Sequence, residues 1–316
     1  NIRIYLLERG FTLHFNSRLS DITIHQGKIA AITINDSSQI PCDHLIVATG
    51  HSARDTYQML LQRGVPMEQK PFAMGVRVEH PQELINSIQY GSNRSPLLPV
   101  ADYAVTWNNN STGRSAYSFC MCPGGVVIAG ASENGGVVTN GMSSHQRNSP
   151  YANSALVVNV TPRDFGAADP LAGVRFQRHW EQAAFRAGGA TYKAPAQNLL
   201  SFLKLPGGTA AHSTYRPGLV ESPLYEVLPD FISSTLREGI PFFDRKMRGF
   251  VTREATLIGI ESRTSAPVRL PRNERFESIG VAQLYPAGEG AGYAGGIMSA
   301  AVDGVRIVDS IVARLP

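Results

Sequence analysis

Residues 278–314 read SIGVAQLYPAGEGAGYAGGIMSAAVDGVRIVDSIVAR, and the reading of this stretch decides the fold. An apolar run over 281–285 ends at Pro286, a glycine-dense turn follows through Gly296, and an amphipathic run continues towards the C-terminus. That order is strand, tight turn, helix. In the helical part Ile297, Ala301, Val305, Val308 and Val312 recur at spacings of three and four, while Gly296, Ala300 and Gly304 keep a second line small. A helix built this way is expected to lie close on a sheet. Gly295 and Gly296 free the backbone to turn its N–H groups towards the helix start, where the macrodipole places roughly half a positive charge. An electron-rich or anionic ligand is expected there.

Gly290-Ala-Gly292-Tyr-Ala-Gly295 spells G-x-G-x-x-G between the strand and the helix. As the opening of a Rossmann unit it would need a second parallel strand after the helix, with an acidic residue about twenty positions past the glycines. The sequence ends at Pro316, so the turn is read as closing a nucleotide-binding fold, and Glu289, directly after Gly288, becomes the candidate for a hydroxyl contact. The competing reading is that these glycines only permit tight helix packing.

The motif GEGAGYAGGIMSAAVDG after a strand resembles the closing motif of the glutathione-reductase-type FAD fold. More narrowly it resembles a family of bacterial FAD-dependent dehydrogenases of undefined substrate. HLIVATGHSARDT from His44, FAMGVRVEHP from Phe72, FCMCPGG from Phe119 and ESRTSAPVR from Glu261 extend the resemblance over nearly the whole chain. It implies that Glu289 binds the ribityl chain and that the amides of Gly295, Gly296 and Ile297 face the pyrimidine edge of the flavin. Gly288 and Gly290 would shape the same turn. The resemblance also implies that the backbone near Leu19 meets the adenine and that Thr49 and Gly50 pass close to the dinucleotide, where a side chain at Gly50 would collide. An ordinary strand-end turn explains Thr49-Gly50 equally well.

Working outward, 2–8 reads as the end of a helix stopped by Gly10, 11–15 as a strand, and 22–24 with 29–34 as a hairpin or β-meander around Gly27. Residues 44–48 form an apolar strand entering Thr49-Gly50. No glycine-rich dinucleotide opening precedes Asn1, so the chain is expected to be a C-terminal portion of a longer flavoprotein, binding FAD weakly or not at all by itself. From about Phe72 short β-rich segments follow at 73–78, 104–108, 115–122, 126–131 and 155–160. Helical patterns follow at 173–186, 196–202 and 227–238, the last with Pro229 in its first turn. The expected architecture is α/β. It comprises an incomplete, discontinuous Rossmann-like FAD-binding domain of glutathione-reductase type (1–71 and 271–316) and an inserted α+β substrate or cap domain with a mixed sheet (72–270).

Composition narrows the classes. With 316 residues there is ample material for a core, and no apolar run approaches the roughly eighteen residues of a membrane span. Three cysteines give no disulfide framework, so a reduced, cytoplasmic setting is expected. A net charge of +4 with both signs dispersed suits an anionic ligand and does not call for nucleic acid. Hydrolase and kinase motifs are absent from the sequence.

Four residues are candidates for chemistry. Arg263 and Arg269, six apart, can clamp a carboxylate or phosphate, or pair structurally with Glu261 or backbone carbonyls. Cys120 and Cys122, two apart on an expected strand, share a face as buried structural thiols, or as thiols facing a flavin. Further metal ligands at suitable spacing are not evident, and no metal is expected. His145 and Arg147 fall in a polar connection, and Tyr192, Lys193 and Gln197 either line a cleft or form a helix entry. The leading expectation is an FAD-dependent oxidoreductase moving hydride or electrons between flavin and a small, anionic substrate. NAD(P)H, a partner protein or the missing N-terminal region is the expected electron source. The alternatives are an RNA-modifying flavoprotein and a non-catalytic interaction module with a vestigial FAD site.

Overall fold

Two consecutive residues with positive φ, Gln26 at 50° and Gly27 at 76°, turn the first apolar alternation back on itself. The primed turn this makes matches the twist of paired strands, and the expected hairpin forms there. The computed structural model describes residues 1–91, 95, 97–166 and 168–315, and the chain divides into two units, Asn1–Glu68 with Arg269–Pro316 and Gln69–Val268.

The first unit opens with α1 (Ile2–Leu7), which buries none of its residues. Residues 11–15, expected as a strand, form none, and Phe11 and Phe15 are exposed. Apolar alternation needs a neighbouring strand to become one, and none pairs with them among the described residues. β1 (Leu19–His25), β2 (Lys28–Ile34) and β3 (Ser38–Pro41) make an antiparallel meander in that order. β4 (Leu45–Val47) runs into Thr49-Gly50, and α2 (Arg54–Gln62) then buries Thr56, Tyr57 and Leu60. β5 (Glu68–Gln69) carries the chain out.

The second unit is built on β6 (Phe72–Pro81), in which every residue but Pro81 is buried. Its elements continue with α3 (Gln82–Tyr90), β7 (Thr106–Asn109), β8 (Arg114–Cys122), β9 (Gly125–Ala129), β10 (Thr139–Ser143) and β11 (Tyr151–Val160). Then come α4 (Pro162–Phe165), α5 (Ala172–Ala187), β12 (Ala194–Asn198), α6 (Leu199–Phe202), β13 (Leu219–Glu221), α7 (Asp230–Lys246) and β14 (Thr256–Glu261). Seven strands form one sheet in the order β13-β12-β14-β6-β11-β8-β7; β12 and β13 are parallel and the other pairs antiparallel. This is the expected mixed sheet. Met74, Val76 and Val78 alternate onto one face and pack with Leu156, Val158, Leu236, Ile240, Phe243 and Phe250, all of them buried. The intervening positions, Ala73, Arg77 and Glu79, supply the other face, apolar at one end and ionic at the other.

Three readings of this unit change. Residues 196–202 are not one helix: Pro195 and its neighbours pair in β12, and the Asn198 side chain accepts from the Leu200 amide to start a separate short helix. α7 begins after Pro229, which stands at its N-cap with φ −54°, instead of including it in a turn. β14, between β12 and β6, was hidden by its unbroken burial, since TLIGIE shows no alternation.

β15 (Val268–Arg269) brings the chain back, and β16 (Leu284–Pro286) pairs in parallel with β4, Leu284 opposite Leu45 and Pro286 opposite Val47. α8 (Ile297–Val312) closes the chain. Its orientation corrects the expectation. Asp303 and Ile307 are the buried residues, whereas Ile297, Val305, Val308 and Val312 of the apolar stripe face outwards.

Candidate functional site

Because β4 and β16 are parallel, their carboxyl ends lie side by side, and each opens into a glycine turn. In open α/β sheets that edge is where ligands bind. The turn after β4 is Thr49-Gly50, and the turn after β16 is Gly288-Glu289-Gly290. The two touch through their backbones: a Cβ on Gly290 would lie 2.6 Å from the Gly50 carbonyl oxygen. Gly50 itself has φ 74° with open space where its Cβ would be, so its left-handed backbone is what asks for glycine inside this chain. The Tyr57 hydroxyl, from α2, donates to the Gly290 carbonyl at 2.8 Å. Burial, with Glu289 adding to it, pushes the Tyr57 pKa up, so this hydroxyl remains a donor.

The turn after β16 is locked from α8. Asp303 accepts from the Gly288 amide at 2.7 Å and takes both Arg272 nitrogens, at 2.6 and 2.9 Å. Arg272 also donates to the Pro286 carbonyl and lies over the Tyr293 ring, 3.7 Å from its centroid. Burial pushes the Asp303 carboxyl up, but the bonds from Arg272 and the Gly288 amide outweigh it and hold it below the usual carboxylate value. These charge-assisted bonds fix where β16 ends and α8 begins. Sequence reading missed the lock. Its one signal was Asp303, an acid placed among Ala300, Val302, Gly304 and Ile307 in the middle of α8.

At the start of α8 the glycines are of another kind. Neither Gly295 nor Gly296 has a left-handed φ, Gly296 being extended at 174°, and a Cβ on either would meet nothing within 4 Å. Neither strain nor internal packing requires them. They keep a volume clear in front of the first turn of a sixteen-residue helix, with Ile297 exposed beside it. Glu289 stands at the rim, half-buried, with its carboxylate 3.6 Å from His51 Nε2.

Thr49, Gly50, Gly288, Glu289 and Gly290 are therefore together, with Gly295, Gly296 and Ile297 following along the same segment. Leu19 is placed differently. It opens β1 at the end away from the Gln26-Gly27 turn and pairs with Ile34.

The remaining candidates are scattered. Arg263 is buried and forks onto Glu181, Nη2 to Oε2 at 2.9 Å and Nε to Oε1 at 3.1 Å, with Ser132 on its other nitrogen. Its partner is thus Glu181, while Glu261 is held by the fully buried Arg77 through two bonds of 3.0 Å. Arg269 lies over the Tyr293 ring at 5.3 Å. Cys120 and Cys122 do not share a face as regular strand residues would. A register shift against β11 between Asn153 and Ala155 and a φ of 44° at Cys120 break the alternation. Cys120 is exposed and Cys122 half-buried, and burial pushes the Cys122 thiol pKa up with Arg77 pulling it partly back. His145 and Arg147 are exposed, and Lys193 is exposed beside Tyr192. Gln197 lines a groove of about 470 Å³ with Asn198, Ser201, Thr209 and Glu221. Among the described residues no group of three His, Cys, Asp or Glu side chains can hold a metal ion, and no helix is long and apolar enough to cross a membrane.

Residues 71–264 match the family described as "FAD-dependent protein, C-terminal domain-like", a span of more than half the chain. The chain belongs to that family. The matched span lies within the unit built on the seven-stranded sheet, so this sheet with its buried ion pairs is the domain by which this FAD-dependent family is recognised. A protein of Clostridium beijerinckii, described as uncharacterized, is 51% identical over 318 residues, which cover 99% of this chain and 60% of the relative. The chain thus spans about three-fifths of that relative's length.

Proposed function

We propose that this chain forms the flavin-facing part of an FAD-dependent oxidoreductase that moves hydride or electrons between the flavin and a small, anionic substrate. The observation that carries the reading is the open pair Gly295-Gly296 at the start of α8, next to a glycine turn at the carboxyl ends of two parallel strands. The residues fit the group. A flat ring edge needs backbone amides it can approach without Cβ atoms, and these glycines are required by nothing else in the fold. FAD, when bound, supplies the redox chemistry.

The chain's own contribution is position and charge. The first amides of α8, those of Gly296 and Ile297, present the positive end of the helix dipole, which favours electron density at a ring edge placed there. Glu289 accepts from a sugar-chain hydroxyl, with His51 beside it to hold the carboxylate in place. Arg272 and Asp303 keep the Gly288 amide and the helix start in fixed register, so the amides need not reorganise when charge arrives. Gly50 and Gly290 keep the crevice between the two turns narrow, so that backbone instead of side chains lines the edge.

The test is an FAD titration, by flavin fluorescence, of the polypeptide extended to the relative's length, beside its Glu289→Ala variant. Loss of one hydrogen bond from a charged acceptor is expected to weaken FAD binding about tenfold, on the order of 1.4 kcal/mol. Unchanged affinity removes Glu289 and the turn from the flavin site.

A further inference from the structure

β8 carries one residue more than the strand it faces. Three steps along it, from Phe119 to Cys122, oppose two steps of β11, from Ala155 to Asn153. The extra residue makes a bulge, and Cys120 takes a left-handed φ of 44° there, a conformation that side chains other than glycine rarely adopt. Bonds from the sheet pin it. Ser154 Oγ donates to the Phe119 carbonyl and Arg77 Nη1 to the Cys120 carbonyl, each at 3.3 Å. Backbone strain that neighbouring groups hold in place points towards a use for the residue that carries it.

What the bulge positions is a pair of thiols. In a regular strand, residues two apart lie about 6.7 Å from each other with parallel side chains. Disulfides usually join Cα atoms about 5.5–6 Å apart whose side chains converge. The bend at Cys120 breaks the regular geometry, and the Cys122 Sγ reaches back to donate to the Cys120 carbonyl at 3.4 Å. The surroundings suit a sulfur anion. Burial works against the Arg77 charge, but Glu261 and both thiols, Cys122 and Cys120, raise its pKa. Asn153, opposite Cys122 in the register, is fully buried and its Nδ2 has no acceptor. Directly opposed residues hold their Cβ atoms about 4.5–5.5 Å apart, so a thiolate at Cys122 gives that N–H the acceptor it lacks. The two sulfurs differ in access, Cys120 being exposed and Cys122 half-buried. An exposed thiol beside a less exposed one is the arrangement of an attacking and a resolving cysteine.

We infer that Cys120 and Cys122 form a dithiol site that reduces a small disulfide. The Cys120 thiolate attacks one sulfur of the external disulfide, forming a mixed disulfide and releasing the first thiol. Cys122 then attacks the Cys120 sulfur, closing the Cys120–Cys122 bond and releasing the second. Two electrons pass from the chain to the external disulfide, and the two cysteine protons leave with the released thiols. No flavin takes part in this exchange, so the proposal stands apart from the flavin reading.

The test is reaction of the 316-residue chain with glutathione disulfide, followed by alkylation and peptide mass spectrometry. The expected product is a Cys120–Cys122 disulfide, with two glutathiones released for each one formed. In Cys122→Ser the reaction is expected to stop at a glutathione adduct on Cys120. In Cys120→Ser, where the remaining thiol of the pair is half-buried, glutathione release is expected to slow about tenfold or more. A glutathione adduct that persists on Cys120 in the unsubstituted chain overturns the proposal, since Cys122 then does not reach it. So does a Cys120 that fails to react, and so does a disulfide that closes to Cys42, the third cysteine of the chain, in place of Cys122.

Discussion

The two units differ in how they spend their apolar residues. In Gln69–Val268 a seven-stranded sheet is packed on both faces, and its polar face is closed by bidentate pairs, Arg77 with Glu261 and Arg263 with Glu181. In Asn1–Glu68 with Arg269–Pro316, a three-stranded meander and a pair of short parallel strands stand with three helices, one of which buries nothing and another of which leaves all four of its valines exposed. The larger unit is stabilised by burial. The smaller buries fewer side chains, among them Ile22, Ile29, Tyr57, Leu60 and Leu284, and adds the Arg272–Asp303–Gly288 lock and the contact between two glycine turns.

The comparison is broken most easily by matched truncations. Phe243→Ala, at a fully buried position on α7, is expected to cost about 3–5 kcal/mol in urea unfolding of the larger unit. Val305→Ala on α8 is expected to change stability by less than about 0.5 kcal/mol in the 316-residue chain. Comparable losses at the two sites would show that α8 is as buried as α7.

A pH titration sharpens the same contrast. His80, fully buried on β6, donates or accepts at Nε2 with the Phe250 carbonyl at 2.8 Å as partner, and the carbonyl makes it the donor; its Nδ1 has no partner. Burial pushes its pKa down from 6.5 to about 4, the carbonyl bond offsetting a little of the shift. The folded value is the depressed one, so the neutral ring's stability is fully present above pH 6.5 and is lost as the pH falls from 6.5 towards 4. The loss is expected to reach about 3 kcal/mol. His80→Gln keeps a donor without a titrating group, and its urea midpoint should lose that dependence. An identical pH profile in the variant would show that other groups carry it.

In the smaller unit Asp303→Asn keeps the shape of the lock and removes its charge. It is expected to cost about 1–2 kcal/mol and to speed hydrogen exchange at the Gly288 amide. Exchange that stays slow would mean that strand pairing alone holds the turn. Because the Asp303 carboxyl is held low, the wild-type lock should weaken only in acid, as the pH falls below the usual carboxylate range.

Much of this was legible from local patterns. The hairpin at Gly27, the β-rich segment over 73–78, the helix over 173–186 and the strand–glycine–helix order at the C-terminus all follow from periodicity and turn chemistry. What was not legible depended on partners distant in sequence. Residues 196–202 look helical until β14 lies beside Ala196, Gln197 and Asn198 and draws them into a strand. The face of α8 cannot be read from its spacing, because one broad apolar arc runs from Ile307 and Ile311 round to Val312 and Val305, and only its Ile307 edge is buried. The cysteines illustrate a further limit, since a bulge against β11 undoes a same-face assignment that strict alternation demands. The ion partners of Arg263 and Glu261 come from α5 and β6, 82 and 184 residues away.

The most direct test of the proposal that the glycine turn faces a flavin is FAD affinity in Gly296→Val, measured in the polypeptide extended to the relative's length. Gly296 is extended and its Cβ position is open, so valine should leave the unfolding midpoint unchanged. If the cleared volume holds the flavin edge, FAD binding should fall by about a hundredfold or more, on the order of 3 kcal/mol. Wild-type affinity in that variant would contradict the account, because the open glycines would then be keeping space for nothing.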